Sequence, residues 1–432
     1  MRSIQYLRRR FRMSSQYTIP FGSWYEPGKI TLEFPENWDV TMYAMDNAPE
    51  LIGKEPYEHA IDNPIGCEPI KELARGKETA AIVIDDTSRS TRMHEVLGVL
   101  LDRLNAAGIP DGNITVISAL GAHRPMMRQD FIKKVGLDVL NRVDVVNHVP
   151  WYNLESLGES KLGTPIQVNK TYHDADLKIS VGGVIPHPLA GYGGGAKIIL
   201  PGICGMGTLE SNHSLAMKAG IGIGLGRITD VRNDIEDVAT RIGLDFSINI
   251  IPNAWGKNAA VFAGHYIDAH RKAIEFSERY FRTDVKKKAR YDVGFFNAFP
   301  EDTELNQCVK ALNIFLLNQL MVERKGVVVI LTASSEGRGY HALLAETGAP
   351  LYTNHGESVL WAAKGRRKVG LFSPNVTKSD VLQLFPGDII FNRDFNALLK
   401  DIEAVAGENP TACLFQNSIQ MPRVIKEPKI GK

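Results

Sequence analysis

The run Ile185-Pro-His-Pro-Leu-Ala-Gly-Tyr-Gly-Gly-Gly-Ala-Lys-Ile-Ile-Leu-Pro-Gly202 puts an imidazole, a glycine loop and a primary amine into one short segment. His187 stands between two prolines, which fix the backbone around it and restrict the direction of its ring. Imidazole titrates near neutrality and can exchange protons with a substrate. Gly193, Gly194 and Gly195 let the backbone approach a ligand closely, and Lys197 follows them. His213 lies a little further on, in Leu209-Glu-Ser-Asn-His-Ser214. Two other clusters carry reactive types: Asp85-Asp-Thr-Ser-Arg-Ser-Thr-Arg92, with Asp86 and Arg89, and Gly121-Ala-His-Arg-Pro125, with His123.

Several familiar chemistries do not fit these residues. A P-loop needs glycine directly before its lysine and a hydroxyl directly after it. Here Ala196 precedes Lys197 and Ile198 follows it. Gly220-Ile-Gly-Ile-Gly-Leu-Gly226 has Leu225 where a dinucleotide fingerprint needs its third glycine, and no clear strand precedes it, so it reads as a flexible loop. Neither His-x-x-x-His nor His-Glu-x-x-His occurs, which disfavours a zinc hydrolase with a local ligand pair. His59, His94, His173, His265 and His341 stand alone and read as surface or satisfied core residues. On spacing alone, Lys197 is equally a phosphate-binding cation and Arg89 a partner for Asp86.

The elements that must carry these residues alternate. Apolar, β-branched runs at 80–84, 113–120, 143–148, 177–184 and 245–251 read as strands. Helical stripes near 96–104, 127–141, 234–241 and 269–282 lie among them. A second alternation begins at 291–296, with strands at 326–332 and 368–372 and helices over 305–320 and 357–363. Pro64 is expected to open a helix, and 17–22 with 29–34 to form a small β unit. This pattern predicts an α/β fold: two α/β domains with largely parallel sheets and an active-site cleft between them. The expected division is a basic extension over 1–12, a first domain over 13–288, a second over 289–410, and a tail over 411–432 that could return to either domain, the first included. In such sheets ligands bind at the carboxyl ends of strands. Asp86 with Arg89, His123, and His187 with Lys197 all follow predicted strands, which points to one shared site.

The totals bound the remaining possibilities. The chain has 432 residues, 44% hydrophobic and 23% charged, with a net charge of +1, so neither nucleic acid nor an anionic membrane is indicated as a partner. Four scattered cysteines, Cys67, Cys204, Cys308 and Cys413, read as reduced thiols, and a cytoplasmic location is expected. No apolar run approaches the roughly 20 residues of a membrane span. The first twelve residues hold five arginines and no acid, which reads as a disordered extension before Met13.

Taken together in register, these motifs resemble the nickel-pincer-nucleotide lactate racemase family of 2-hydroxyacid racemases and epimerases. Asp86-Thr-Ser-Arg89 is similar to the family's Asp-x-Thr-Arg, and Gly121-Ala-His-Arg-Pro125 to its Gly-x-His-Arg-Pro. His187 through Gly202 resembles the block of histidine, glycine loop, lysine and Leu-Pro-Gly. Asn212-His-Ser214 is similar to the Asn-His-Ser that follows, and Gln307-Cys-Val-Lys310 to Gln-x-Val-Lys.

The resemblance implies an isomerase with a pyridinium-3,5-bisthiocarboxylic acid mononucleotide bound covalently to Lys197 and holding nickel, with His213 as a metal ligand. Asp86, Gly193, Gly194 and Gly195 would bind this cofactor, which dedicated biosynthetic enzymes supply. His123 and His187 would act as alternate acid and base while C2 passes a hydride to the cofactor through a 2-oxoacid. Arg89, Gln307 and Lys310 would hold the substrate. Ser88, Ser90, Arg92 and Asn306 depart from the family pattern, and the expectation is a substrate larger or more polar than lactate. Trp361 is a further candidate to face the cleft. The runner-up reading is a nucleotide- or phosphate-binding enzyme using the glycine loop and Lys197 without a covalent group; a third is a three-histidine metal hydrolase. Oligomeric state stays open.

Overall fold

The computed structural model describes residues 14–25, 28–219, 226–286, 289–318, 321–342 and 365–425. Two six-stranded sheets form its frame. Across the first, the order is Asn258–Gly264, Phe246–Pro252, Leu177–Gly183, Ala80–Asp85, Ile114–Ala119 and Asp144–Asn147. All neighbours run parallel except the edge strand Asn258–Gly264, which returns antiparallel. The central strand Ala80–Asp85 is buried at every residue. Ile82 and Ile84 pack with Val96, Leu97 and Leu100 of helix His94–Ala106, while Ala81 and Val83 pack on the other face with Ile199, Leu200 and Val238. A strand covered on both faces needs an unbroken apolar run, and the sequence supplies one.

The second sheet is parallel throughout, in the order Ile390–Asn392, Lys368–Phe372, Val322–Leu331, Tyr291–Asn297, Thr411–Phe415 and Asp39–Tyr43. The architecture is α/β with largely parallel sheets, as the alternating pattern indicates.

The first strands of the chain sit differently from the expected division. Asp39–Tyr43 is an edge of the second sheet. The hairpin of Ser15–Pro20 and Lys29–Phe34 covers a face of that sheet, with Ile19, Leu32, Phe34 and Trp38 against Phe295, Val329 and Leu414. Phe34 meets Phe295 edge-on at 5.3 Å. These residues therefore belong with the second sheet rather than with an N-terminal unit over 13–288. Alternation shows that a face will be buried, but not which sheet buries it. In the tail, Thr411–Phe415 enters the second sheet, and only Met421–Ile425 turns back, pairing in parallel with Arg282–Lys286.

Two local expectations also change. The helix expected after Pro64 begins only at Ile70, and an unforeseen helix, Glu55–Asp62, precedes it with Pro56 in its first turn. The helix expected over 305–320 is a 3-10 turn, Leu305–Ala311, followed by a short α-helix, Leu312–Leu317. Three residues per turn bring positions i and i+3 into line, which puts Gln307 above Lys310. The predicted helix over 357–363, Trp361 and residues 220–225 lie outside the described residues. All four cysteines are free thiols. Among the described residues no helix is long and apolar enough to cross a membrane.

Candidate active site

The loops that leave the carboxyl ends of Ala80–Asp85, Ile114–Ala119 and Leu177–Gly183 converge on a cavity of about 210 Å³. From the second sheet, the 3-10 turn Leu305–Ala311 and His341 close it. Asp86, Arg89, His123, His187, Gly193, Gly194, Lys197, His213, Gln307 and Lys310 all line this space. Gly195 stands behind the lining, where its N–H donates to Asn249 Oδ1 at 2.8 Å.

A buried lysine that sequence reasoning passed over holds the first loop. Lys134, on helix Arg128–Arg142, is fully buried and paired with the Asp85 carboxylate. Its Nζ also donates to the carbonyls of Asp86 (2.9 Å) and Arg89 (3.1 Å) and to Thr91 Oγ1 (3.2 Å). Asp86 and Arg89 thus stand on a fixed backbone.

The glycine loop is clamped from behind in the same manner. Arg232, fully buried on helix Asp230–Ile242, donates to the carbonyls of Ala190, Tyr192 and Gly194. His270 Nε2 donates to the Gly193 carbonyl at 2.7 Å. Gly194 has φ +71°, and a Cβ there would lie 2.5 Å from Val184 Cγ2, so no side chain fits. Four carbonyls directed at Arg232 and His270 fix the loop that presents Lys197.

The two histidines of the cavity have opposite hydrogen-bond states. Asp86 Oδ2 lies 2.6 Å from His123 Nδ1, while Asp86 Oδ1 accepts from the Ser88 N–H (3.0 Å) and hydroxyl. Burial alone would raise the Asp86 carboxyl, but His123, Ser88 and Arg89 together hold it well below the usual carboxylate range. An ionised Asp86 assigns the proton to Nδ1 of His123, which leaves Nε2 with its lone pair. At His187, Nδ1 instead accepts from the amides of Leu189 and Ala190, both at 3.2 Å. In neutral His187 the proton is therefore on Nε2. Burial, followed by the charges of Lys197, Lys310 and Arg89, pushes its pKa well down and keeps it neutral. One ring can accept a proton at Nε2, and the other can donate a hydrogen bond from its Nε2–H.

Arg89, two lysines and one buried acid set the charge. Glu301 Oε1 accepts from Lys310 Nζ at 2.6 Å and from Arg89 Nη1 at 2.9 Å. Burial would raise its carboxyl, but Lys310, Arg89 and Lys197 hold it below its ordinary value. Among the described residues, the Arg89 side chain donates from Nη1, to the Ser88 carbonyl and hydroxyl and to Glu301, so its planar fork keeps donors for a carboxylate. Lys197 is half-buried, and what remains open of it lines the cavity. Burial first, then Arg89, Lys310 and Arg232, lower its pKa far below that of a free lysine, which favours the neutral, nucleophilic amine. His213 Nδ1–H donates to the Leu209 carbonyl at 2.9 Å, so its lone pair is on Nε2, as a metal-binding imidazole requires. Among the described residues, no group of three or more His, Cys, Asp or Glu is gathered to hold a metal ion.

Sequence reasoning missed Glu301, His270 and His341. The default reading of His341 as a surface or core residue is corrected: it lines the cavity, with its ring 5.0 Å from that of His123. Its neighbour Ala342 donates its N–H to the Ala122 carbonyl at 2.8 Å. The acid run Glu301-Asp-Thr-Glu304 directly after a strand was the available signal for Glu301, by the same strand-end rule that found His123. Among the departures, Ser88 and Asn306 line the cavity. Ser90 and Arg92 do not; the Arg92 guanidinium sits over the Trp24 ring, 5.0 Å from its centroid.

Residues 25–224 match the family model of the lactate racemase N-terminal domain. The lactate racemase of Lactiplantibacillus plantarum is 28% identical over 313 residues, 70% of this chain and 72% of that protein. That of Thermoanaerobacterium thermosaccharolyticum is 28% identical over 286 residues, 65% of this chain and 66% of that protein. Among solved structures, the lactate racemase apoprotein from T. thermosaccharolyticum aligns with a TM-score of 0.74 at 23% identity, covering 95% of this chain and all of that one. A protein from Thermotoga maritima aligns with a TM-score of 0.67 at 17% identity, over 88% of this chain and all of that one. At these identities the two structures show the fold.

Proposed function

We propose that the chain is a member of the lactate racemase family, which the match of residues 25–224 to that family's N-terminal domain and the two lactate racemase relatives support, and that it is an isomerase inverting C2 of a 2-hydroxyacid, with a nickel-pincer nucleotide carried on Lys197. The observation that carries this reading is the pairing of His123 and His187 in complementary proton states within a cavity that also holds an enclosed amine.

The residues present fit the implied group. Lys197 offers a nucleophilic amine, the clamped glycines leave room beside it, and His213, with its Nδ1–H given to the Leu209 carbonyl, offers an imidazole lone pair at Nε2. When bound, that group supplies the reversible redox chemistry at C2. The protein's part is placement and proton movement. Arg89, with Lys310 beside it, binds the carboxylate, and Gln307 closes over the substrate from the 3-10 turn. His123 Nε2 takes the hydroxyl proton of one isomer and becomes an imidazolium beside Asp86, and the oxygen regains its proton from that imidazolium once C2 is restored. The neutral His187 Nε2–H donates a hydrogen bond to the same oxygen; its use as the base for the other isomer would need that proton moved to Nδ1. Burial of Glu301 between Arg89 and Lys310 keeps the cations close without mutual repulsion.

The test is co-expression with the enzymes that build the cofactor, followed by mass analysis of the Lys197 peptide and a stereochemical assay. A nucleotide-sized adduct with nickel is expected, absent in Lys197→Ala. His187→Ala should retain the adduct and lose turnover. Reversible nucleotide binding with no adduct would favour the phosphate-binding reading instead. Zinc bound with an unmodified lysine would favour a hydrolase.

A further inference from the structure

Asp234 is a fully buried acid outside the cavity lining, and the proton movements above make no use of it. Its oxygens accept from three neutral donors: Ser160 Oγ, Thr164 Oγ1 at 2.8 Å and Asn212 Nδ2 at 2.8 Å. The Ser160 hydroxyl itself accepts from the N–H groups of Leu162 (3.2 Å) and Thr164 (3.1 Å), which leaves its proton for Asp234. Burying a carboxylate is costly unless its oxygens are hydrogen-bonded, so these donors are a condition of its place in the interior.

The cluster holds helix Met206–Ala219. Asn212 is fully buried on that helix, directly before His213, and a carboxylate only accepts, so the amide must turn Nδ2 towards Asp234. At 3.6 residues per turn, successive side chains leave a helix about 100° apart. Fixing the direction of Asn212 therefore fixes that of His213. The His213 ring is tied to the same helix through Nδ1–H and the Leu209 carbonyl one turn earlier, so its Nε2 lone pair turns as the helix turns. Asp234 stands on helix Asp230–Ile242, two residues from Arg232, which grips the glycine loop. Ile235 and Val238 of that helix share one apolar cluster with Ile199, Leu200 and Leu209.

Resting on the reading of Lys197 as the attachment point and His213 as a metal ligand, we propose that Asp234, acting through Asn212, is the positioning residue that aims the His213 lone pair at a metal carried on Lys197. Helix Asp230–Ile242 is then the common frame: Arg232 places the lysine loop and Asp234 places the histidine. Groups that orient a metal-bound imidazole from behind change metal affinity by about 10–100-fold when they are removed.

The experiment uses the chain co-expressed with the cofactor-building enzymes, as wild type, Asn212→Leu, Asp234→Ala and the double variant. Mass analysis gives the adduct on the Lys197 peptide, and nickel per adduct is followed by elemental analysis during challenge with EDTA. Asn212→Leu and Asp234→Ala are expected to keep the adduct at the wild-type level and to hold nickel about 10–100-fold more weakly. The double variant should be no worse than Asp234→Ala alone, because one residue acts through the other. Should Asp234→Ala fail to fold, Asn212→Leu decides. In the cofactor-free Asn212→Leu chain, amide exchange should quicken along helix Met206–Ala219 and stay unchanged over 190–197. Nickel held as firmly in Asn212→Leu as in wild type, or unchanged exchange along that helix, would overturn the inference and leave the isomerase reading standing. Loss of adduct and nickel in equal proportion would reduce the cluster to general support of the fold, which also overturns it. A wild-type chain with no adduct, or with an adduct that carries no nickel, would overturn the isomerase reading and the inference with it.

Discussion

The Asp86–His123 pair allows a sharp prediction, because the structure determines how an isosteric replacement would sit. In Asp86→Asn, the Ser88 N–H and hydroxyl continue to need an acceptor at the Oδ1 position. They hold the amide oxygen there and place the new NH2 at the position of Oδ2, which lies 2.6 Å from His123 Nδ1. That group can only donate, so Nδ1 of His123 becomes the acceptor and the ring proton moves to Nε2. The lone pair that takes the substrate proton disappears, although no heavy atom need move. Where a histidine base is locked in the wrong tautomer, about 10⁴ in kcat is lost, equivalent to roughly 5 kcal/mol of barrier. We expect a fall of about 10³–10⁴-fold in both directions of inversion, with KM little changed. Nickel and the Lys197 adduct, quantified on the same preparation, should stay at wild-type levels. Turnover within tenfold of wild type would refute the tautomer argument. Loss of the adduct together with activity would instead return Asp86 to the cofactor-binding role that the sequence resemblance implied.

Two further expectations follow from the same charges. Glu301→Gln leaves Arg89 and Lys310 buried side by side without their shared anion, so stability should drop by about 3–5 kcal/mol, read from denaturant unfolding. The substrate carboxylate should meanwhile bind more tightly, and a raised KM with unchanged stability would contradict this account. His148, His187 and His270 are buried, and burial lowers the pKa of each, to about 4 for His148 and well below 6.5 for the other two. Their unfolded forms bind protons below about pH 6.5 while the folded forms stay neutral, so their contribution is present above that pH and lost as pH falls. Each should remove up to about 1.4 kcal/mol per pH unit below 6.5. His270→Gln should flatten that slope, and an unchanged slope would show that His270 titrates normally when folded.

The parts of this molecule that were legible in its sequence are those governed by local pattern. Runs such as Ala80–Asp85 and Leu177–Gly183 declare buried strands, and the position of polar residues at their ends declares the cavity. The residues of the site that escaped notice act through space. Lys134 and Arg232 lie within amphipathic helices, where a cation ordinarily marks the solvated face, yet both are fully buried against backbone carbonyls. His270 is likewise one residue of an ordinary helix until the Gly193 carbonyl is seen beside it. His341 comes to His123 only because segments far apart in the chain meet at the cavity. The docking of the first hairpin on the distant second sheet follows from long-range packing that no window of sequence encodes.

The place of Thr411–Phe415 in the second sheet, between Tyr291–Asn297 and Asp39–Tyr43, sets an order of events during synthesis. The strands of the first sheet, from residue 80 to residue 264, leave the ribosome well before the second sheet can close. Asp39–Tyr43, although made early, has no neighbour until Thr411–Phe415 emerges some 370 residues later. Until then the apolar hairpin ahead of it also awaits the strands it covers, a long-range pairing that slows folding and exposes sticky surface. The wall of the cavity contributed by Gln307 and Lys310 depends on that late closure. A nascent chain can thus fold its lysine loop early, while a site able to hold substrate exists only when nearly the whole polypeptide has been made.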